Sequence, residues 1–285
     1  MKTESLHFDV DEGIRLSADA LGSPADPPVL LLHGGGQTRH SWSQTAGALA
    51  RSGWYAVSAD LRGHGESDWS PSGDYSHVRF SNDVVRLARS FDRPPVLVGA
   101  SLGGISSLLA VGTAQGPERP LARALVLVDI ATRMEPEGAD RIVSFMQSRP
   151  EGFASLAEAA DAVAAYNPHR RRPRNLDGLR KNLRQQADGR YHWHWDPAFL
   201  TRRPEKSGHL HDPELLERAA RSLKIPTLLV RGRLSDLLSR NGADAFLEQV
   251  PHAKFADVSG AGHMVAGDQN DAFADAVLRF LENDL

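Results

Sequence analysis

The sequence predicts an α/β fold, a mostly parallel central sheet flanked by helices and carrying one inserted helical cap. Three observations point there. Short continuous runs of Val, Leu and Ala recur along the chain, each closing on Gly or Asp; helix-like stretches lie between them; and the alternation stops between Asp129 and Pro226 before resuming. Unbroken apolar runs of strand length are buried on both faces, as in a parallel sheet, and strands alternating with helices build that sheet through right-handed crossovers.

The first segment is different. Leu6 to Val10 and Ile14 to Ala20 alternate around Asp11-Glu12-Gly13, which predicts an antiparallel hairpin on the sheet edge. Buried strands follow at Pro28–Leu32, Trp54–Ala59, Pro95–Val98, Ala124–Val128 and Pro226–Val230, and a final strand at Ala253–Val258. Helices are expected at Gln44–Arg51, Asn82–Ser90 and Leu102–Ala114. Between Asp129 and Pro226 no run reads as a buried strand, whereas Leu156, Ala159, Ala160 and Val163 fall at helical spacing. The expected division is therefore a core of residues 1–131 and 223–285 and a largely helical cap of residues 132–222. The basic run Arg170-Arg171-Arg172-Pro173-Arg174 in that cap reads as a solvated face.

Composition narrows the function. The 285 residues are 41% hydrophobic and 24% charged, enough apolar material for a substantial core. Lys and Arg total 33 against 36 Asp and Glu, a balance that argues against a nucleic-acid partner. The chain has no cysteine, which excludes disulfides, a thiol nucleophile and cysteine-ligated metal. Neither a signal-peptide-like start nor an apolar run of about 20 residues is present, so the expectation is a cytoplasmic protein with no membrane partner. Oligomeric state is left open.

The strongest chemical signal is Gly99-Ala100-Ser101-Leu102-Gly103, which follows one expected strand and opens an expected helix. This is the G-x-S-x-G context in which a sharp turn exposes a serine hydroxyl above the sheet. The Leu102 N–H, at a helix N-terminus, is placed to stabilise an oxyanion. A serine needs a base to take its proton and an acid to orient that base. Among twelve histidines, His263 in Ser259-Gly260-Ala261-Gly262-His263-Met264, just past the final strand, suits the base. His33 and His64 sit in glycine turns and read as structural. The acid stays open at this stage, because Asp129 and Asp236 both follow sheet strands and either keeps the order serine, acid, histidine. Asp60 precedes the serine and reads as a brace for its own turn.

Taken together, Leu32-His33-Gly34-Gly35, Asp60-Leu61-Arg62-Gly63-His64-Gly65-Glu66-Ser67, the Ser101 elbow and Gly262-His263 resemble the α/β-hydrolase superfamily. The likeness is greatest to its small esterases, lactonases and cofactor-free haloperoxidase (perhydrolase) relatives, and it spans the chain apart from the cap. It implies that the acid follows the strand after the cap, which favours Asp236 over Asp129. It also implies that Gly35 supplies the second oxyanion N–H. Ala100 departs from the histidine common at that position. Gly34-Gly35-Gly36 resembles a loop of lipases that accept bulky alcohols. Epoxide hydrolases and haloalkane dehalogenases share the fold but carry an aspartate at the elbow, so Ser101 favours acyl chemistry; Tyr166 and Tyr191 read as packing or pocket residues.

The expected activity is cofactor-free hydrolysis of a carboxylic ester, lactone or thioester of a small or medium apolar molecule, with Ser101, Asp236 and His263 as triad. Perhydrolase chemistry and a non-hydrolytic ligand-binding role are the alternatives. Tyr191, Trp193 and Trp195 are expected to roof an apolar pocket. His192-Trp193-His194-Trp195-Asp196 and His209-Leu210-His211-Asp212 hold histidines at metal-ligand spacing, but Pro197 interrupts the first string, and no metal is expected.

Overall fold

A computed structural model of the chain describes residues 2–113, 120–167, 175–201 and 213–285. The basic run at 170–174 and the histidines at 209 and 211 lie outside these described residues. Eight strands form one sheet: β1 (Glu4–Asp9), β2 (Arg15–Leu21), β3 (Pro28–Leu32), β4 (Tyr55–Ala59), β5 (Val96–Ala100), β6 (Ala124–Val128), β9 (Thr227–Gly232) and β10 (Lys254–Val258). Their order is β1-β2-β4-β3-β5-β6-β9-β10. β1 pairs antiparallel with β2, and β2 with β4; all later neighbours are parallel. The hairpin at the edge and the parallel strands follow the sequence pattern.

Because strand side chains alternate, each buried strand serves two cores. Leu30, Leu32, Leu97, Leu125 and Leu127 face helices α2 (His77–Arg89), α3 (Leu102–Thr113) and part of the chain beyond the cap. Val29, Leu31, Val96, Val98 and Val126 face α1 (Ser43–Arg51) and the C-terminal α11 (Asn270–Asp284), where Trp42, Leu49, Phe273, Val277 and Phe280 close the layer. Register then fixes the business edge. Leu32 lies opposite both Ala59 and Gly99, Ala100 opposite Val128, and Val128 opposite Val230. The segments that follow β3, β5, β6 and β9 therefore leave the sheet side by side.

The inserted segment holds α4 (Pro136–Gln147), α5 (Leu156–Tyr166), the short α6 (Asp177–Arg180), β7 (Leu183–Gln185), β8 (Tyr191–Trp193), the short α7 (Ala198–Thr201) and α8 (Pro213–Arg221). Two features differ from expectation. β7 and β8 pair as an antiparallel hairpin, too short and too polar in sequence to read as buried strands. And α8 belongs to the core: Leu216, Ala219, Ala220 and Leu223 join the cluster against α3, and Gly112 approaches Ala219 so closely that a side chain there would strike it. The expected cap boundary at 222 thus lies too far along the chain, since a helix with an apolar stripe reads alike whether it lids a site or flanks a sheet. After β9 come α9 (Arg240–Gln249), β10 and the short α10 (Val265–Asp268). No helix among the described residues is long and apolar enough to cross a membrane.

A buried ion pair anchors the loop after β4. Arg62 and Asp83 are both nearly sealed from solvent, and the guanidinium donates from Nε and Nη2 to the two carboxylate oxygens at 2.6 Å each. Arg62 Nη1 also reaches the partly exposed Glu12 carboxylate at 3.3 Å, but removing Asp83 takes away both short bonds of the buried guanidinium, which costs about 3–5 kcal/mol. Asp83→Ala is expected to lose that much in urea unfolding, and Arg62→Met with Asp83→Leu to lose less than Asp83→Ala alone. Stability of Asp83→Ala within about 1 kcal/mol of wild type would contradict the reading.

Candidate active site

Ser101 stands between β5 and α3 with φ +45°, in the left-handed region that side-chain-bearing residues avoid. The turn closes only because its neighbours are bare. A Cβ on Gly99 would strike the Gly103 carbonyl, and one on Gly103 would strike the carbonyl of Leu32. The Ser101 N–H donates to Val128 O at 3.2 Å, which fixes the elbow against β6. Leu102 begins α3, where first-turn N–H groups have no partner within the helix. On the other side, a Cβ at Gly34 would sit 3.2 Å from the Ser101 Cβ, so the His33-Gly34-Gly35 loop lies against the serine. Of the expected oxyanion residues, Leu102 follows Ser101 directly, whereas for Gly35 the contact with Ser101 is made by its neighbour Gly34, and a Cβ on Gly35 would face Phe199 and Met146.

The structure brings His263 to Asp129 and not to Asp236, the residue that the resemblance favours. His263 Nδ1 lies 2.8 Å from Asp129 Oδ2, and Asp129 is fully buried while His263 keeps 17% side-chain exposure toward the cavity. Asp129 leaves β6 at φ +52°, a second strained residue beside Ser101. Its carboxylate also accepts the Gly232 N–H at 2.9 Å and the hydroxyl of Ser235. Ser235 in turn accepts the N–H groups of Leu237 and Leu238, both at 3.1 Å, which leaves its own proton for Asp129. Asp236 points elsewhere. It is 46% exposed and accepts from Arg141 Nη1 at 2.9 Å, while Arg141 Nη2 donates to Tyr166 O at 2.7 Å. Asp236 thus fastens helices α4 and α5 to the core. The loop after β9 is tied back by Ser235, which turns the next side chain outward; that bond could not be read from spacing. Ser235 itself was missed, its only sequence signal being a small hydroxyl one position before a candidate acid.

Asp60 braces its own turn as expected, accepting from the Arg39 N–H, the Arg39 guanidinium and the Glu66 N–H. Around the His33–Gly36 loop lie three buried histidines, His33, His64 and His194, with neighbouring ring centroids 5.3 and 5.8 Å apart. His33 donates from Nδ1 to Gly34 O and accepts the Leu61 N–H at Nε2. His194, from the cap, accepts the Gly65 N–H at 2.7 Å and donates from Nε2 to Gly36 O at 3.3 Å. Asp196 accepts from the Tyr75 hydroxyl at 2.6 Å, and His192 faces Asp188 at 3.7 Å. Within the His192–Asp196 string only His194 and Asp196 are spent on hydrogen bonds, while His192 Nε2 and the Trp193 indole N–H have no hydrogen-bond partner among the described residues, and no group of three or more potential metal ligands converges there.

A cavity of about 510 Å³ opens above Ser101 and His263. Its wall does not include Tyr191, Trp193 or Trp195, contrary to expectation. The two tryptophan rings do share one side, stacked 5.0 Å apart at 12°, but that side meets Met146, Phe145 and Leu200 in the cap's own small core. Trp195 lies over Gly36 and Tyr191 bridges to Phe153. Tyr166 stacks on Phe145 at 4.1 Å, its phenol pushed up to about 12 by burial, with the Asp236 charge adding to it.

A model of the alpha/beta hydrolase fold matches residues 27–268, and the chain belongs to that family. It is 29% identical to the esterase Rv0045c of Mycobacterium tuberculosis, over 90% of this chain and 83% of that one. It is 28% identical to a 3-hydroxybutyrate-oligomer hydrolase of Cupriavidus necator, over 87% of each. Among solved structures, that of E-2-(acetamidomethylene)succinate hydrolase superposes with a TM-score of 0.82 over 99% of this chain and 100% of its own, at 23% identity, a likeness of fold. The esterase relatives support an ester-acting hydrolase.

Burial holds the histidine stack neutral. Desolvation brings His33 down to about 4 and His64 to about 3, the latter helped by the His33 charge, and holds His194 well below its ordinary range. Since each folded value lies below the unfolded one, near 6.5, the unfolded chain takes up protons first as pH falls. Stability is therefore expected to drop from about pH 6.5 downward by on the order of 1.4 kcal/mol per pH unit for each such histidine. Urea unfolding at pH 7, 6 and 5 should show this slope, and His64→Leu should flatten it. A flat wild-type profile would contradict the assignment.

Proposed function

We propose that the chain hydrolyses a carboxylic ester, lactone or thioester through an acyl-enzyme, with Ser101 as nucleophile, His263 as base and Asp129 as the group that orients it. The observation that carries this reading is the 2.8 Å contact from His263 Nδ1 to a buried, triply held Asp129, with Ser101 on the wall of the same cavity as His263. Asp129 accepts the Nδ1 proton, so Nε2 is the free base.

Ser101 Oγ attacks the acyl carbon as Nε2 takes its proton. The carbonyl oxygen becomes an oxyanion, which the N–H groups of Gly35 and Leu102 stabilise. As the tetrahedral species collapses, the imidazolium returns the proton to the leaving alcohol or thiol, and the ester of Ser101 remains. Water then loses a proton to Nε2, attacks that ester and releases the acid, restoring Ser101. No step calls for a metal or organic cofactor, and the substrate is a small molecule held between cap and sheet edge. The names of the relatives, an esterase and an oligomer hydrolase, favour esters over other acyl compounds.

A fluorophosphonate should add one equivalent to wild type, mapped by peptide mass to Ser101, and should abolish turnover of a p-nitrophenyl ester. Ser101→Ala should take no label and lose on the order of 10⁶ in kcat. Turnover unchanged in pure Ser101→Ala would overturn the mechanism.

A further inference from the structure

The cavity wall carries several hydrogen-bond donors and, among the described residues, no carboxylate. Gln37, Asn182 and Asn270 line it, and the carbonyl oxygen of each is already taken by a protein donor. The Gly34 N–H reaches Gln37 Oε1 at 3.2 Å, the Thr38 hydroxyl reaches Asn182 Oδ1 at 3.2 Å, and the Thr45 hydroxyl reaches Asn270 Oδ1 at 2.8 Å. With their oxygens held in this way, these amides still have their NH₂ groups to offer, two donors each. Trp42, also on the wall, is 1% exposed and its indole N–H has no partner among the described residues. Buried donors are normally paired, and an orphan beside a cavity marks a place where a ligand atom accepts.

Lys181, just after α6, completes the set. It lines the same cavity, and among the described residues it forms no ion pair. No Asp or Glu lies in the wall formed by the described residues, so nothing there repels a negative charge. Val163, Leu179 and Met264 supply apolar surface between the polar groups, enough to hold a short carbon skeleton.

We propose that this site selects an ester that itself carries a carboxylate, in its acyl or its alcohol part, with Lys181 as counter-ion and the Trp42, Gln37, Asn182 and Asn270 N–H groups as further donors. The proposal rests on the serine-hydrolase reading for its catalytic consequence, while its binding consequence stands apart from turnover. Charge-assisted hydrogen bonds to a carboxylate are the stronger ones, whereas a neutral chain of equal length would leave these donors unanswered.

Two matched pairs test it: mono(4-nitrophenyl) glutarate against 4-nitrophenyl pentanoate, and 4-(butanoyloxy)butanoate against butyl butanoate. In at least one pair the anionic member is expected to show a kcat/KM about 10-fold above its neutral twin, with the ratio shrinking as ionic strength rises. Lys181→Met should bring that ratio to about one, and Lys181→Glu should invert it. In parallel, calorimetric binding of glutarate to Ser101→Ala should weaken about 10-fold on adding Lys181→Met. Hydrolysis of the neutral esters with no anionic preference, or a preference that survives in both Lys181 variants, would overturn the proposal and leave the hydrolase reading standing. Lysine-dependent glutarate binding without turnover of any of the four esters would instead sink the hydrolase reading and support the site.

Discussion

A buried carboxylate organises this site. Asp129 has no exposed surface, and a charge in that position persists only where hydrogen bonds replace its lost water. It collects them from three directions: the Gly232 N–H at the end of β9, the Ser235 hydroxyl in the loop beyond, and the His263 ring from the loop after β10. Two segments distant in sequence, residues 232–235 and 263, are thus gathered on the Asp129 carboxylate, beside the elbow that Val128 O anchors through the Ser101 N–H. The strain at Ser101 and Asp129, neighbours across β5 and β6, is held by that convergence and by the bare glycines around it.

Much of this was legible in the sequence. Continuous apolar runs gave the parallel strands because a strand buried on both faces has no polar side to show. The Gly99–Gly103 spacing identified the elbow because no other residue fits between crossing backbones at either end. The acid was ambiguous for a physical reason. Asp129 and Asp236 occupy similar stations after neighbouring strands, and what separates them is their partners, His263 and Ser235 for Asp129 and Arg141 for Asp236. Nothing in residue spacing encodes those partners. The cap's aromatic residues illustrate the same limit. Their alternation correctly implies that Trp193 and Trp195 share a side, yet which surface that side meets depends on tertiary packing against Met146 and Leu200.

The cap therefore contributes differently from an aromatic roof. Its rings build a small core of their own, and His194 pins that core to the loops at Gly36 and Gly65 with a neutral, backbone-matched imidazole. Arg141 ties α4 and α5 to Asp236 on the opposite flank. Held at both sides, the cap presents Leu179, Lys181 and Asn182 to the cavity, opposite Gln37, Trp42 and Asn270 from the core.

The assignment of Asp129 as the orienting acid is the claim on which the mechanism turns, and kcat of two asparagine variants on one ester tests it directly. Asp129→Asn keeps the shape but presents an amide to Nδ1 and favours the wrong tautomer, so kcat should fall by about 10⁴. Asp236→Asn removes one partly exposed contact to Arg141, an interaction of about 1 kcal/mol or less, and kcat should stay within about 10-fold of wild type. The reverse ranking would contradict the account and return the acid to the loop after β9.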